Sequence, residues 1–157
     1  MITSGSGFST IEIIIVIVLI GIISVIGIPL IRDSLEKQDG RSMRAGIVGY
    51  IALARSTAVS RGCRGSVHFV SGGNSRLWVT ACSTRAGAPP TERDTIGGPE
   101  WTEARWRHRF QATRDSIDFD FRGLRRTLTR TVILIRTRGD VTRDSVVVNP
   151  VGTVVYP

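Results

Sequence analysis

One carboxylate, Glu12, stands inside an otherwise apolar run, FSTIEIIIVIVLIGIISVIGIPLI, from Phe8 to Ile31. It is the single charge in those 24 residues. A charged side chain at membrane depth costs about 3 kcal/mol even on mild insertion scales, and it usually marks function. The chemistry it offers is ion pairing. A cut between Gly7 and Phe8 would make Glu12 the fifth residue and turn the Phe8 amino group into a cation at similar depth. A carboxylate on a neighbouring subunit can pair with that cation, offsetting the desolvation of both groups. Such a pair is useful only to molecules that pack helix against helix.

The other reactive residue types form no site. Cys63 and Cys82 are the two cysteines, 19 residues apart, with neither a second Cys pair nor a His pair to complete a zinc set. In an exported domain they read as a disulfide, and otherwise as two buried thiols. His68 falls in a strand pattern and His108 in a basic stretch, and both read as ordinary surface or sheet residues. Asp118 and Asp120 alternate on the polar side of a strand. No P-loop, nucleophile elbow or metal cluster is present in the sequence, so neither catalysis nor a metal or cofactor is expected.

Charge supplies the remaining candidate. The net charge is +8, carried by twenty Arg and one Lys (Lys37), and nearly all of it lies beyond Ile31. The stretch 101–110, WTEARWRHRF, interleaves aromatics with Arg105, Arg107 and Arg109, and 124–130 adds Arg125, Arg126 and Arg130. Arginines neutralise phosphates and exposed aromatics can stack on bases, so DNA is one partner class. A solvated charged loop and hairpin is the other reading.

Several elements must position these residues. A run of about 20 apolar residues spans a bilayer as a helix, and residues 8–31 meet that length. A secretory signal would want a basic n-region, a shorter apolar core and a small-x-small cleavage site. MITSGSG has no basic side chain and no Ala-x-Ala follows the run. A plain signal anchor has no need of Glu12. Pro29 removes a backbone donor and loosens the helix there, and Gly21 and Gly27 weaken the same region. From Asp33 to Arg61, Met43, Ile47, Tyr50, Ala54 and Ala58 recur at helical spacing, with Arg41, Arg44 and Arg55 on another side. Gly62 then reads as the stop. Beyond it the pattern predicts strands over 66–70, 77–81, 116–121, 131–135 and 145–149, with 151–156 closing the chain and a turn at Gly139-Asp140. Residues 86–100, rich in Gly and Pro, read as an irregular exposed loop.

Gly7-Phe8-Ser9-Thr10-Ile11-Glu12 followed by an aliphatic run resembles the processing site of type IV prepilins and type II secretion pseudopilins. The resemblance implies cleavage after Gly7 by prepilin peptidase, N-methylation of Phe8, and assembly through Glu12, with Pro29 at a helix-softening position. The Arg41–Arg61 helix, the Phe119–Gly123 strand and turn, and VVVNPVG at 146–152 are similar to the H-type pseudopilin and FimT-type minor-pilin branch. That branch implies an α+β, pilin-like fold: a long N-terminal helix, membrane-spanning then amphipathic, packed on a small antiparallel β-sheet domain. The expected divisions are a leader at 1–7, a transmembrane assembly helix at 8–31, its amphipathic continuation at 32–62 and a β-rich domain at 63–157. The implied protein is single-pass in the inner membrane, its C-terminal domain in the periplasm or on the surface. Its implied partners are other pilins, the peptidase and the bilayer. Some FimT-type proteins bind DNA through basic residues near the C-terminus. Here the corresponding turn, Gly152-Thr153-Val154-Val155, has no Arg after the Gly.

Overall fold

The computed structural model describes residues 9–89 and 91–156. The expected cleavage site, Gly7-Phe8, lies outside the described residues. The chain divides into two compact units, Met1–Lys37 and Gln38–Pro157, so the boundary falls inside the expected amphipathic continuation.

Helix α1 runs from Thr10 to Arg61, 52 residues, and contributes to both units. In the first unit its apolar side chains stay uncovered: Ile17, Ile23 and Val25 are 64%, 69% and 77% exposed. Its two serine hydroxyls there bond within the helix, Ser24 Oγ donating to the Ile20 carbonyl at 2.7 Å and Ser34 Oγ to that of Leu30 at 2.9 Å. Polar groups satisfied in this way place no demand on water. The C-terminus of α1 follows from glycine. Gly62 takes φ +62°, its N–H donates to the Val59 carbonyl, and the Cys63 N–H donates to that of Ala58. This pair of bonds closes the last turn and needs a left-handed residue at Gly62.

Among the described residues of the second unit, eight strands form two antiparallel four-stranded sheets. The first contains β1 (Gly65–Val70), β2 (Arg76–Cys82), β3 (Arg93–Trp101) and β5 (Ser116–Phe119), in the order β3-β2-β1-β5. The second contains β4 (Arg109–Ala112), β6 (Thr131–Arg136), β7 (Thr142–Val148) and β8 (Val154–Val155), in the order β4-β6-β7-β8. A short helix, α2 (Thr102–Trp106), links β3 to β4. Met43, Ile47, Ile51, Ala54 and Ala58 of α1 form one core with residues of both sheets, among them Val67, Leu77, Phe119, Ile133 and Val146. Small residues set how closely helix and sheet approach. A Cβ on Gly65 would collide with the Ala54 carbonyl, and one on Gly46 would lie 2.5 Å from the Trp106 ring.

Four expectations need correction. Residues 93–101 are not loop but β3, an edge strand paired only with β2. An edge needs no inner ladder donor from Pro99, and register shifts opposite Leu77–Thr80 accommodate Gly97 and Gly98, so the turn-like composition misled. The strand at 116 ends at Phe119, and Phe121 is exposed in the following turn instead of sharing the buried side of Ile117 and Phe119. His108 is no surface residue but 1% exposed. Trp106 and Phe110, taken from sequence as aromatics available for stacking, belong to the core.

Candidate assembly site

Helix α1 begins with the Ser9 carbonyl accepting from Glu12 N at 3.0 Å and Ile13 N at 3.3 Å. Glu12 therefore sits in the first turn, where the positive end of the helix dipole favours a carboxylate. Around it are Ile13, Val16 and Ile17, which with Glu12 line a shallow recess of about 280 Å3. Among the described residues no side chain pairs with the Glu12 carboxylate. This arrangement can supply an unspent anion on an apolar helical surface. Pro29 lies within the helical backbone of α1.

Several charges of the second unit are met within it, among them Arg44 by Asp144, Arg61 by Asp94 and Arg64 by Asp118. Cys63 and Cys82 are joined as a disulfide with Cα atoms 6.2 Å apart, tying the segment after α1 to the end of β2. Asp118 accepts from Ser66 Oγ at 2.6 Å and from Arg64 at 2.6 Å. Burial alone would raise the Asp118 pKa, but these two donors outweigh it and hold it below the ordinary carboxylate value. His68 is lowered, chiefly by burial, and its Nε2 lies 2.8 Å from Thr80 Oγ1.

The arginines proposed from sequence as a DNA contact do not converge. Arg105 pairs with Glu100 at 2.6 Å and Arg109 with Glu103 at 3.4 Å, while Arg107 is exposed at the left-handed end of α2. Arg109 stands opposite Arg136 at one end of β6, whereas Arg130 precedes the other end. The strand between them spans about 20 Å at the usual rise. Arg126 and Arg130 are exposed. Arg125 is 6% exposed and donates to the carbonyls of Val148 and Asn149 and to Thr131 Oγ1, so it staples the C-terminal segment to the domain. His108 Nδ1 lies 2.8 Å from the Trp106 carbonyl, which can only accept, so Nδ1–H is the donor; its Nε2 faces Gly40 with no hydrogen-bond partner among the described residues. Sequence reasoning missed one cluster. Arg76 of β2 lies between Trp78 and Trp101, a juxtaposition signalled only by the i, i+2 spacing of Arg76 and Trp78.

The sequence matches the family model for the type II transport protein GspH over residues 46–152, more than half of the chain. The chain belongs to the GspH family. The matched residues all fall in the second unit. Among solved structures, two crystal forms of the type IV minor pilin FimU from Pseudomonas aeruginosa strain PAO1 are similar. One is 14% identical with TM-score 0.49, covering 80% of this chain and 90% of that one. The other is 15% identical with TM-score 0.45, covering 80% and 91%. No curated protein matches the sequence.

A GspH-family chain is a pseudopilin or minor pilin, a structural subunit by family. With α1 the one helix among the described residues long and apolar enough to cross a membrane, the family points to a single-pass inner-membrane protein.

Proposed function

We propose that the protein is a minor pilin or pseudopilin that co-assembles with other pilins into, or primes, a type IV pilus or type II secretion pseudopilus. In this reading prepilin peptidase cuts between Gly7 and Phe8 and methylates Phe8. The apolar part of α1 holds the subunit in the bilayer, with the second unit in the periplasm or on the surface. Glu12 then meets the Phe8 ammonium of a neighbour, and Pro29 lets the helix loosen as subunits leave the lipid.

The observation that carries the reading is a carboxylate with no partner among the described residues, on an exposed apolar helix in a GspH-family chain. An isolated anchor would lose stability by carrying it. An assembly recovers that cost through the pair. Glu12→Ala should leave membrane insertion intact and abolish co-purification with partner pilins. Normal co-assembly of that variant would sink the proposal. Mass spectrometry of the mature chain gives an independent check, expected to show methylated Phe8 as the first residue. DNA binding is not part of the proposal, since Arg125 is a buried structural staple and Trp106 and Phe110 are core.

A further inference from the structure

Side chains alternate along a strand, so the sheet β3-β2-β1-β5 turns one face to the core and one outward. On the outward face, strand register sets His68 opposite Trp78 and Arg76 opposite Trp101. His68 stacks on Trp78 with ring centres 5.1 Å apart and planes 16° from parallel. The Arg76 guanidinium carbon lies 5.5 Å from the Trp78 ring centre and 5.3 Å from that of Trp101. The four side chains make one row across three strands. Beside it opens a recess of about 210 Å3 lined by Arg76, Trp78, Thr95 and Pro99.

Arg76 has its head group gripped and its hydrogen bonds unspent. Among the described residues no carboxylate or other acceptor meets it. Arg44, Arg61, Arg64 and Arg105 each reach a carboxylate. Arg107 and Arg130 also lack one, but they are exposed and no ring holds them. Two indole rings flank the Arg76 guanidinium carbon, so the head group is partly placed before an acceptor arrives and less freedom is lost on binding.

We propose that Arg76 anchors a carboxylate of a partner subunit, an Asp or Glu side chain entering the recess beside Thr95 and Pro99. The inference rests on the co-assembly reading for the class of partner. The fork of a guanidinium matches a carboxylate with two parallel hydrogen bonds. Trp and Arg are the side chains in which interface energy concentrates, and here they are adjacent and already ordered. A chain of net charge +8 is steered toward acidic surfaces. Single-stranded nucleic acid is the less suited occupant, because it needs successive open ring faces. Trp78 is already engaged by His68 and Arg76, which leaves Trp101, 46% exposed, as the outermost ring.

The test titrates the full-length protein in detergent with acetyl-Gly-Glu-Gly-amide and with its Gln counterpart, following tryptophan emission. Inorganic phosphate and an oligothymidylate are run in parallel. The Glu peptide should give a saturable change that the Gln peptide does not. Arg76→Gln should weaken it roughly tenfold or more, and Arg76→Lys, which keeps charge but not the planar fork, should do the same. Thr95→Tyr should give an equal loss by filling the recess while leaving Arg76 in place. A missing response to the Glu peptide, a response that survives Arg76→Gln, or tighter binding of phosphate or oligothymidylate would overturn the proposal. The titration does not involve Glu12. Peptide binding lost with co-assembly intact removes the anchor alone, and co-assembly unaffected by Glu12→Ala removes the reading beneath it.

Discussion

The two units use apolar residues in opposite ways. In the second, Phe119, Ile133 and Ile135 are wholly buried, whereas in the first Ile17, Ile23 and Val25 remain more than half exposed. Both segments are aliphatic, so composition alone does not separate them. Pattern does. The strands alternate buried and outward residues, as in the iBiBiBi series of β2, so each has one face to cover. Residues 13–31, Ser24 aside, are apolar on every side, and no single sheet could cover them all. The first unit is therefore built for a solvent of lipid or other helices, and the second for its own core.

The sharpest way to break this comparison is to truncate one apolar residue in each unit. Phe119→Ala should cost the domain about 3–5 kcal/mol, the range for a buried aromatic whose cavity cannot collapse fully. Ile20→Ala, at a position 58% exposed, should leave the thermal midpoint of the domain unchanged. Near-ultraviolet circular dichroism of the full-length protein in detergent reads both. An equal loss in the two variants would show that the domain depends on the apolar segment, contrary to the division drawn here.

A second pair uses glycine. At Gly65 an added Cβ meets the Ala54 carbonyl, a backbone atom that cannot step aside without moving α1. Gly65→Ala should therefore destabilise by about 1–3 kcal/mol, as overpacking does. Gly21 has nothing within 4 Å of its added Cβ. There Gly21→Ala should favour the helix by up to about 1 kcal/mol and leave the domain's melting unchanged. The same two melting curves check it, and a loss from Gly21→Ala as large as that from Gly65→Ala would count against the comparison.

Much of this contrast was legible in the sequence. The uniform run at 11–31 and the Met43, Ile47, Ala54, Ala58 spacing announce a free helix and a docked one. The Gly62 stop is legible because a left-handed residue after a helix is usually glycine. Strand β3 was not legible, since Gly97-Gly98-Pro99 carries turn composition and only its place at a sheet edge makes it tolerable. Nor was the burial of Trp106 and His108. Sequence places them among arginines, and the left-handed turn at Arg107, φ 57°, swings both inward while the charges stay out. The Arg76 row was hidden for another reason. It joins residues from three strands, and register across strands is a tertiary fact.

The smallest expected effect separates two carboxylates. Glu12 has no partner among the described residues, whereas Asp118 accepts from Ser66 and Arg64. Those donors favour the charged form and lower the folded-state pKa of Asp118 despite its burial. A pKa lower in the folded than in the unfolded state adds stability that is fully present above the unfolded value, about 3.9, and is lost as pH falls through the folded one. Arg64 is partly exposed, so solvent screens its share of the effect. Asp118→Asn should therefore lower the domain's thermal midpoint by only a few degrees at neutral pH, less than either change above. The gap to the unaltered protein should narrow steadily below about pH 4, where the unfolded wild-type carboxyl takes up its proton while the folded one is still charged. A gap that stays constant with pH would mean that Asp118 contributes through packing and hydrogen-bond geometry, not through its charge. Its contrast with Glu12 as a carboxylate neutralised within its own chain would then fail.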